Sequence, residues 1–305
     1  MKFPLSKYIW FDGKLVPVNM AKVPVTTHAI HYGTSIFEGI RAYWNSKNLH
    51  VFRLKDHVKR FRNSGKFYNI KLNFSDKQIE NAVIDLCKKN KIKKSCYIRP
   101  FYFVGQYGIN FHVTQKAPTH TAIFAFPFGD LFNKSGITAT ISKWRKFSDM
   151  STPTQAKMGG NYLNSILATQ DAKQRGFDEA ILLDQSGNVS EAPGENIFLV
   201  KNNMLVTPSL SSSALDGITR RSIITLAKDM KLKIKTQKVS KKELKMADEI
   251  FLSGTAAEIT PVIKIDKKKI GEGKVGNITK LFMATYSDIV MNKSENYSHW
   301  LTAVY

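Results

Sequence analysis

The chain has 305 residues, of which 43% are hydrophobic and 11% aromatic, a composition typical of one large globular domain or two of ordinary size. No apolar run reaches the roughly 18 residues of a membrane-spanning helix, and the first ten residues lack the apolar stretch and cleavage site of a signal peptide. The formal charge of +22 suggests nucleic-acid binding. Because it is carried by dispersed lysines without interleaved aromatic residues, we instead expect a solvated lysine-rich surface.

The first part of the chain predicts helices and mostly antiparallel strands. Residues 8–17 predict a hairpin with Asp12-Gly13 as its turn. Further strands are predicted at 35–43, 49–54, 95–105 and 121–126, with helices from an Asp56 cap to about residue 68 and from Ser75 to residue 87. This pattern indicates an α+β unit.

Residues 127–136 interrupt the pattern and predict an interdomain connection. We therefore divide the chain into a smaller domain at 1–127, a loop at 128–136 and a larger domain at 137–305. In the larger domain the predicted strands are 137–142, 179–184, 189–191, 196–201, 204–206 and 249–252. Helices are predicted at 161–175, at 219–230 and from residue 279.

Four residues of metal-binding type carry no metal-site pattern. Cys87 and Cys96 are nine residues apart without a histidine at metal-ligand spacing, and a reduced pair is a simpler expectation than a structural disulfide. His28 and His31 have helix-compatible spacing but no acidic or cysteine partner, so we expect structural roles. No metal site is predicted.

Lys157 is the first candidate for chemistry. It is followed by Met158-Gly159-Gly160, and a lysine amine kept from water forms Schiff bases with carbonyl groups. The glycines would let a flat ring approach the backbone. A second motif, 190–198, contains the carboxylates of Glu191 and Glu195, and a carboxylate near the ring could pair with a pyridinium nitrogen.

Two further segments predict anion binding. Gly217-Ile218-Thr219 stands at the start of a predicted helix, where free N–H groups attract phosphate, although an ordinary helix start with Thr219 as its cap explains it too. Thr255 and Ala256 follow a strand in a small-residue turn, which forms either an N–H nest for an anion or a plain turn.

Two arginines are also candidates. Arg60 is placed on the first long predicted helix, either as a surface residue or as a phosphate ligand. Arg99 lies in an apolar strand, on the same face as Tyr97. A charge in that position needs an anionic partner, such as a substrate carboxylate.

Together these motifs resemble the branched-chain amino acid aminotransferases, which are fold-type IV enzymes dependent on pyridoxal 5'-phosphate. The resemblance runs from Tyr8 to about Gly276. It is carried by residues 31–41, 97–100, 156–162, 190–196, 217–220 and 253–258. It implies a smaller N-terminal α/β sandwich and a larger C-terminal pseudo-barrel domain.

The resemblance implies a role for each candidate residue. Lys157 would bind the cofactor and shuttle the proton, Glu191 would keep the pyridine nitrogen protonated, and Tyr162 would lie near the ring hydroxyl. The phosphate would be held by Arg60, Ile218, Thr219 and Thr255. The substrate α-carboxylate would be held by Tyr97, Thr255 and Ala256. Gly39 and Gly194 would leave space beside the substrate and the cofactor ring.

The resemblance also implies dual specificity. Phe37, Tyr162 and Tyr32 would form an apolar wall, and Arg99 with the Tyr32 hydroxyl would meet a γ-carboxylate. Tyr32 would come from a neighbouring subunit, which requires at least a dimer and leaves a hexamer open. Phe128, Leu131 and residues 108–111 depart from the family's pattern in segments that form this pocket.

We therefore expect a cytoplasmic enzyme of branched-chain amino acid biosynthesis that moves the amino group of L-leucine, L-isoleucine or L-valine to 2-oxoglutarate. The reaction would be ping-pong. Alternatives of the same fold type are a D-amino acid aminotransferase and an aminodeoxychorismate lyase. An alternative from another class is a lysine-rich nucleic-acid-binding protein that retained an enzyme fold.

Overall fold

The computed structural model describes residues 6–305, so that the first five residues of the segment tested for a signal peptide lie outside the described range. The strands are β1 (Tyr8–Phe11), β2 (Lys14–Pro17), β3 (Ser35–Phe37), β4 (Ile40–Trp44), β5 (Leu49–Phe52), β6 (Cys96–Val104), β7 (Thr119–Pro127), β8 (Ile137–Arg145), β9 (Glu179–Leu183), β10 (Asn196–Lys201), β11 (Met204–Pro208), β12 (Ile234–Gln237), β13 (Glu249–Gly254), β14 (Glu258–Ile265), β15 (Lys268–Lys269) and β16 (Leu301–Ala303). The α-helices are α1 (His28–Tyr32), α2 (Leu54–Lys66), α3 (Asp76–Lys89), α4 (Tyr162–Gln174), α5 (Ile218–Asp229), α6 (Lys241–Lys245) and α7 (Asn277–Val290). Short 3-10 helices cover Val18–Met20, Gly159–Asn161, Leu210–Ser212 and Glu295–Trp300.

The chain divides into two compact units that interleave along the sequence. Unit 1 consists of Met1–Gly129, Ala156–Gly160 and Asp288–Tyr305, and unit 2 consists of Asp130–Gln155 and Asn161–Ser287. The segment with Lys157 therefore belongs to unit 1, although it follows residues of unit 2 in the chain. The linear division at residues 127 and 136 stays a prediction.

Unit 1 contains an antiparallel sheet with helices. The strand order is β16-β5-β4-β6-β7-β1-β2, and β3 pairs with β6 beside this path. The pairings of these strands are antiparallel, as the sequence predicts. Apolar side chains of the sheet and of α2 and α3 form one core, which includes Ile98, Tyr102, Phe61, Val83 and Leu86. Burial of this apolar surface is the main force that holds the unit together.

Several predicted elements of unit 1 are confirmed. β1 and β2 form the hairpin, and its turn residues Asp12 and Gly13 have φ values of 44° and 92°, as a tight two-residue turn requires. α3 begins after Ser75, whose side chain accepts from the Gln78 N–H while the Gln78 side chain accepts from the Ser75 N–H. This reciprocal cap is the reason that the start of α3 is legible in the sequence.

The predicted start of α2 at an Asp56 cap is wrong. The helix begins at Leu54, after Arg53 in a left-handed conformation with φ of 49°. Asp56 lies in the first turn and accepts a hydrogen bond from Arg53 Nε at 2.8 Å. There a carboxylate is favoured by the helix dipole without being the cap.

The predicted strand at residues 35–43 is also interrupted. Glu38 and Gly39 separate β3 from β4, and the Glu38 N–H donates to the Pro100 carbonyl of β6. The interruption places the Glu38 side chain in the interior, where it is completely buried. This carboxylate becomes important for the site.

Unit 2 contains a mixed sheet. Its order is β12-β11-β10-β13-β14-β8-β9, and β15 pairs with β14 beside this path. β8 is parallel to both neighbours, β14 and β9, whereas β13 pairs antiparallel with both β10 and β14. A separate apolar core contains Ile181, Ile197, Leu199, Leu252 and Val262. With mixed helices and two sheets, the α+β expectation is confirmed.

Residues 189–191 do not form the predicted strand. Val189 makes one isolated bridge with Leu183, and the segment turns so that the Leu182 N–H donates to the Glu191 carbonyl. The sequence analysis also did not anticipate the shortest elements, α1, α6, β12, β15 and β16, nor β14. Except for the eight-residue β14, these elements have too few residues to show hydrophobic periodicity, and tertiary pairing decides their conformation.

Cys87 and Cys96 are free thiols in the core of unit 1, in agreement with the predicted reduced pair. A hydrogen bond from the Cys87 thiol to the neighbouring Cys96 sulfur, followed by burial, raises the pKa of the Cys87 thiol well above its usual range. None of the helices in residues 6–305 combines the length and the apolar character of a membrane span.

Candidate active site

In unit 1, Lys157 lies in a segment that is fixed against β3 and α2. The Lys157 N–H donates to Ser64 Oγ at 3.0 Å, and the Lys157 carbonyl accepts from the Phe37 N–H at 3.1 Å. The side chain passes over the Phe37 ring, with Nζ 4.9 Å from the ring centroid. Backbone bonds on both sides therefore hold the direction of the lysine side chain.

The glycines after Lys157 serve this close packing. A Cβ on Gly159 would stand 2.3 Å from Ser35 Oγ, and one on Gly33 would stand 2.9 Å from the Gly160 Cα. Gly160 also donates its N–H to the Gly33 carbonyl. The structure thus gives Gly159 a packing role next to β3, beyond the clearance for a ring that the sequence suggested, and the close approach of Gly160 requires a glycine at position 33.

A buried ion pair lies next to this segment. Arg60 on α2 donates from Nε to Glu38 Oε1 at 2.6 Å and from Nη2 to Glu38 Oε2 at 2.9 Å. His57, one turn earlier, bonds Glu38 Oε2 through Nδ1 at 2.7 Å. Burial by itself raises the pKa of Glu38, but Arg60 and His57 reverse this and hold it far below its usual range. Glu38 therefore remains a carboxylate that positions Arg60.

The surroundings of Lys157 favour its neutral form. Burial, followed by the Arg60 guanidinium, lowers the pKa of Lys157 from 10.5 to about 8. Glu38 and Tyr97 act in the opposite direction, and Arg99 adds to the lowering. An amine with this pKa is available as a nucleophile and base near neutral pH.

Tyr97 and Arg99 share one face of β6, as the alternation predicted. Arg99 Nη2 donates to the Tyr97 hydroxyl at 2.9 Å, and the guanidinium lies 4.6 Å from the Phe37 ring centroid. Arg99 Nε is buried and has no hydrogen-bond partner within residues 6–305. An anionic ligand would satisfy this donor, because buried polar groups are nearly always hydrogen-bonded.

Gly39 is required by Tyr97. A Cβ at Gly39 would lie 1.9 Å from the Tyr97 hydroxyl and 2.7 Å from its Cζ atom. Any larger residue would displace the tyrosine ring. The clearance that the sequence analysis assigned to Gly39 is thus used by a side chain of the protein itself.

Tyr32 lies at the end of α1 and is 37% exposed. Its ring meets Phe111 edge to face at a centroid distance of 5.1 Å. His28, on the same helix, is buried and bonds Thr34 Oγ1 through Nδ1 and the Asn110 carbonyl through Nε2. These contacts fit the structural role predicted for His28 and connect α1 to the loop that contains Phe111.

In unit 2, Glu191 is buried and held at both carboxylate oxygens. Oε2 accepts from Asn196 Nδ2 and from the Leu215 N–H, each at 3.0 Å. Oε1 lies 2.6 Å from Lys146 Nζ. Lys146 follows the end of β8, and no pattern in the sequence marked it. Burial lowers the pKa of Lys146, but Glu191 and then Tyr162 outweigh burial, so that this pKa is raised overall.

The start of α5 has the geometry of an anion site. Gly217 is the N-cap and offers no capping side chain, and Ile218 and Thr219 in the first turn are buried. The alternative with Thr219 as the cap is therefore wrong. A Cβ on Gly217 would stand 2.0 Å from Asn196 Oδ1, which ties this turn to the Glu191 network. Buried N–H groups at such a helix start favour a phosphate.

The other candidates of unit 2 lie in turns and at a helix start. Tyr162 is the first residue of α4, and its charge interaction with Lys146 places it near the Glu191 pair. Thr255 and Ala256 lie in the turn between β13 and β14, as predicted, and both are half-buried. A Cβ on Gly194 would meet no atom within 4 Å, and Glu195 accepts from the Gly194 N–H at 3.2 Å.

Comparison with known proteins decides the family. Residues 35–265 match the model of the amino-transferase class IV family. The chain belongs to the class IV aminotransferases. The branched-chain-amino-acid aminotransferase of Escherichia coli K12 is 42% identical over 303 residues, which is 98% of each chain. A probable branched-chain-amino-acid aminotransferase of Aquifex aeolicus is 40% identical over 98% of this chain and 97% of its own.

Solved structures agree with this class IV membership. A branched-chain aminotransferase from Thermoproteus uzoniensis, crystallised with norvaline, has a TM-score of 0.95 at 41% identity and covers 98% of this chain and 100% of its own. A second branched-chain amino acid aminotransferase, complexed with N-(5'-phosphopyridoxyl)-L-glutamate, has a TM-score of 0.96 at 39% identity and covers 100% of both chains. The predicted resemblance is confirmed, and the chain is a pyridoxal 5'-phosphate-dependent aminotransferase.

The residues of this class IV chain fit the cofactor on chemical grounds. Unit 1 has a half-buried amine, Lys157, with a lowered pKa, which suits covalent attachment to an aldehyde. Unit 2 has a buried carboxylate, Glu191, which suits a pyridinium nitrogen, and the uncapped start of α5, which suits a phosphate. Each of the three chemical groups of the cofactor has a matching group in the chain.

Proposed function

We propose that this enzyme transfers the α-amino group of L-leucine, L-isoleucine and L-valine to 2-oxoglutarate, giving branched-chain 2-oxo acids and L-glutamate by a ping-pong reaction. The observation that carries the proposal is the half-buried Lys157 amine with its pKa of about 8, in a chain 42% identical to branched-chain-amino-acid aminotransferases. When bound, pyridoxal 5'-phosphate supplies an electron sink for the bonds at the substrate α-carbon.

Lys157 holds the cofactor and moves the proton at the α-carbon. Burial, followed by the Arg60 guanidinium, lowers the pKa of its Nζ to about 8, which favours the neutral amine compared with an ordinary lysine. The neutral amine accepts the proton from the substrate α-carbon as a general base. The resulting ammonium group then gives this proton back as a general acid in the next step. The hydrogen-bonded Lys157 backbone keeps the base of this side chain in one place.

Glu191 holds the proton on the ring nitrogen, and other residues hold the phosphate. The Glu191 carboxylate is kept in place by Asn196 and the Leu215 N–H. Ile218, Thr219 and Thr255 contribute N–H and hydroxyl donors to the phosphate. Arg60, positioned by Glu38, adds its guanidinium.

The substrate contacts explain how two kinds of side chain are accepted. Tyr97 and the N–H groups of Thr255 and Ala256 hold the α-carboxylate. Phe37 contributes apolar wall for leucine, whereas Arg99 meets the γ-carboxylate of glutamate. The buried Arg99 Nε without a partner in residues 6–305 supports the second role.

A second subunit is part of this proposal. Tyr32 is 37% exposed and its ring meets that of Phe111, and α1 and the segments next to these two residues also expose apolar side chains, with Val25 at 81%, Ile30 at 61%, Ile109 at 84% and Phe111 at 80% exposure. Such a patch is typical of a protein–protein interface. It supports a homo-oligomer, with the dimer as the smallest active form, in which Tyr32 reaches the neighbouring site.

The test measures kcat/KM for L-leucine, L-isoleucine, L-valine and D-alanine, each with 2-oxoglutarate, on the cofactor-loaded enzyme. We expect turnover of the three branched L-amino acids and parallel double-reciprocal lines when both substrates are varied. Turnover of D-alanine alone, or intersecting lines, would contradict the proposal.

The same assay is applied to Lys157→Ala, with Lys59→Ala as control because Lys59 is an exposed lysine on α2. We expect kcat to fall by about 10⁴-fold or more in Lys157→Ala and to be unchanged in the control. Normal turnover of leucine by Lys157→Ala would show that the assigned role of Lys157 is wrong.

A further inference from the structure

One oxygen of the Glu191 carboxylate, Oε1, contacts the ammonium group of Lys146, although this is the oxygen that remains free to pair with the cofactor. Oε2 already accepts two hydrogen bonds, from Asn196 and from the Leu215 N–H. The remaining oxygen, Oε1, lies 2.6 Å from Lys146 Nζ. A pyridinium nitrogen that pairs with Glu191 must therefore share the carboxylate with an ammonium group.

The backbone holds this ion pair in place. The Lys146 N–H donates to the Leu183 carbonyl at 2.8 Å, and the Lys146 carbonyl accepts from Gln185 Nε2 at 2.7 Å. On the other side, the Glu191 carbonyl accepts from the Leu182 N–H at 2.8 Å. The backbones of Lys146 and Glu191 are thus hydrogen-bonded to consecutive residues of β9. This arrangement places the two side chains next to each other.

Both side chains are largely removed from water, with 15% and 6% of their surfaces exposed for Lys146 and Glu191. Attraction between charges is stronger there than at the surface. The Lys146 pKa is raised, against burial, mainly by Glu191. The contact with Glu191 therefore favours the ammonium form of Lys146.

Two further ionisable groups face this pair. Tyr162 interacts with Lys146, and the charge of the ionised Tyr162 raises the pKa of Lys146. Arg220 faces Glu191; burial lowers the Arg220 pKa, and Asp216 and Glu191 oppose that change. Arg220 also bonds the Pro208 carbonyl at 3.1 Å, which leaves Lys146 as the cation in direct contact with Glu191 Oε1.

We propose that Lys146 is a positioning residue that serves as the counter-ion of Glu191 and competes with the protonated pyridine nitrogen for the same carboxylate. It stabilises the cofactor-free protein more than the loaded enzyme, weakens cofactor binding and eases the loss of the proton from the ring nitrogen. This proposal rests on the role of Glu191 in the proposed function.

The experiment compares Lys146→Met and Lys146→Arg with the wild type. The probe is pyridoxamine 5'-phosphate, which contains the ring nitrogen but no aldehyde to react with Lys157. We expect its Kd to fall by about tenfold in Lys146→Met, since loss of one nearby charge changes such an equilibrium by about one pKa unit. Lys146→Arg keeps the charge and should bind as the wild type does.

A second readout is the pH titration of the nitrogen NMR shift of the isotopically labelled ring nitrogen of enzyme-bound pyridoxamine 5'-phosphate. We expect the transition of the ring nitrogen to move to higher pH by about one unit in Lys146→Met. Lys143→Met is the matched control, because Lys143 stands near the same end of β8 with 67% of its side chain exposed. An unchanged or higher Kd in Lys146→Met would overturn the proposal.

Glu191→Gln separates this proposal from the proposed function. If Glu191→Gln changes neither the Kd nor the titration, the role of Glu191 itself is wrong. If Glu191→Gln changes both and Lys146→Met changes neither, only the role of Lys146 is wrong. In the Glu191→Gln background, the Lys146→Met effect should disappear, because the shared carboxylate is gone.

Discussion

Unit 1 and unit 2 each contain a half-buried lysine in the neighbourhood of a buried glutamate, yet the pKa values of the two lysines move in opposite directions. The pKa of Lys157 falls to about 8, whereas that of Lys146 rises. In unit 2, Glu191 contacts Lys146 directly at 2.6 Å. In unit 1, Glu38 is bonded by Arg60 and His57, and the guanidinium repels the Lys157 ammonium.

The difference shows that burial alone does not decide the charge of a lysine. Both amines lose hydration, which disfavours the charged form. What differs is the partner of the carboxylate. A glutamate that already holds an arginine attracts the lysine less than the arginine repels it, so one lysine becomes a base and the other a fixed cation.

The largest expected effect on the lysine of unit 1 and its surroundings comes from Glu38→Gln. It leaves the Arg60 guanidinium without its buried carboxylate, and we expect a loss of about 3–5 kcal/mol in the free energy of unfolding. The pKa of Lys157 should fall further below about 8, because Glu38 raises it. Urea unfolding measures the first effect. The control is Glu272→Gln, at an exposed position, and an equal loss in both variants would contradict the role of Glu38.

A smaller effect distinguishes the two lysines in the cofactor-free protein. The folded Lys157 has a pKa of about 8 against 10.5, so the unfolded chain binds more protons between these values and stability rises with pH in that window. Wild type should therefore gain about 3 kcal/mol relative to Lys157→Met from pH 8 to pH 10.5.

Lys146 should behave differently in the same experiment. Because its folded pKa is raised, its stabilising contribution is complete below the unfolded pKa and is lost only as pH rises through the folded one. The stability difference between wild type and Lys146→Met should stay constant from about pH 8 up to the approach of the unfolded pKa. Urea midpoints measured across this range test both statements, and equal pH slopes for the two variants would refute the contrast.

The smallest expected effect tests whether Arg60 lowers the pKa of Lys157. Arg60→Gln removes the strongest nearby repulsion, so the pKa of Lys157 should rise by about one unit. The measurement is the pH dependence of the rate at which the cofactor-free protein takes up pyridoxal 5'-phosphate, because only the neutral amine reacts. Arg62→Gln is the control on the same helix, where Arg62 pairs with Asp76. Coincident profiles for both variants would contradict the assignment.

Several elements of the fold could be predicted from residues that are close together in the sequence. The Asp12-Gly13 turn and the Ser75 cap specify their neighbourhoods by short-range bonds, and both were predicted. The start of α2 was missed because the left-handed Arg53 that precedes it has no composition signal. Short elements such as β16 acquire their conformation only by pairing with a distant strand, here β5.

The sequence by itself determined the family and the residue types of the chemistry. Lys157, Glu191, Arg60 and Thr219 stand in motifs whose spacing reflects local backbone needs, such as a helix start or a glycine turn. Motifs of this kind are visible in the linear chain, because the residues that shape each local turn are also close in sequence.

Only the tertiary structure decided which charges meet. Glu38 and Arg60 are 22 residues apart, and Lys146 and Glu191 are joined through β9. No spacing rule connects such residues, since strand pairing and burial bring them together. Because the strength of an ion pair depends on distance and on exclusion of water, the charge of each lysine is a property of the fold and not of its motif.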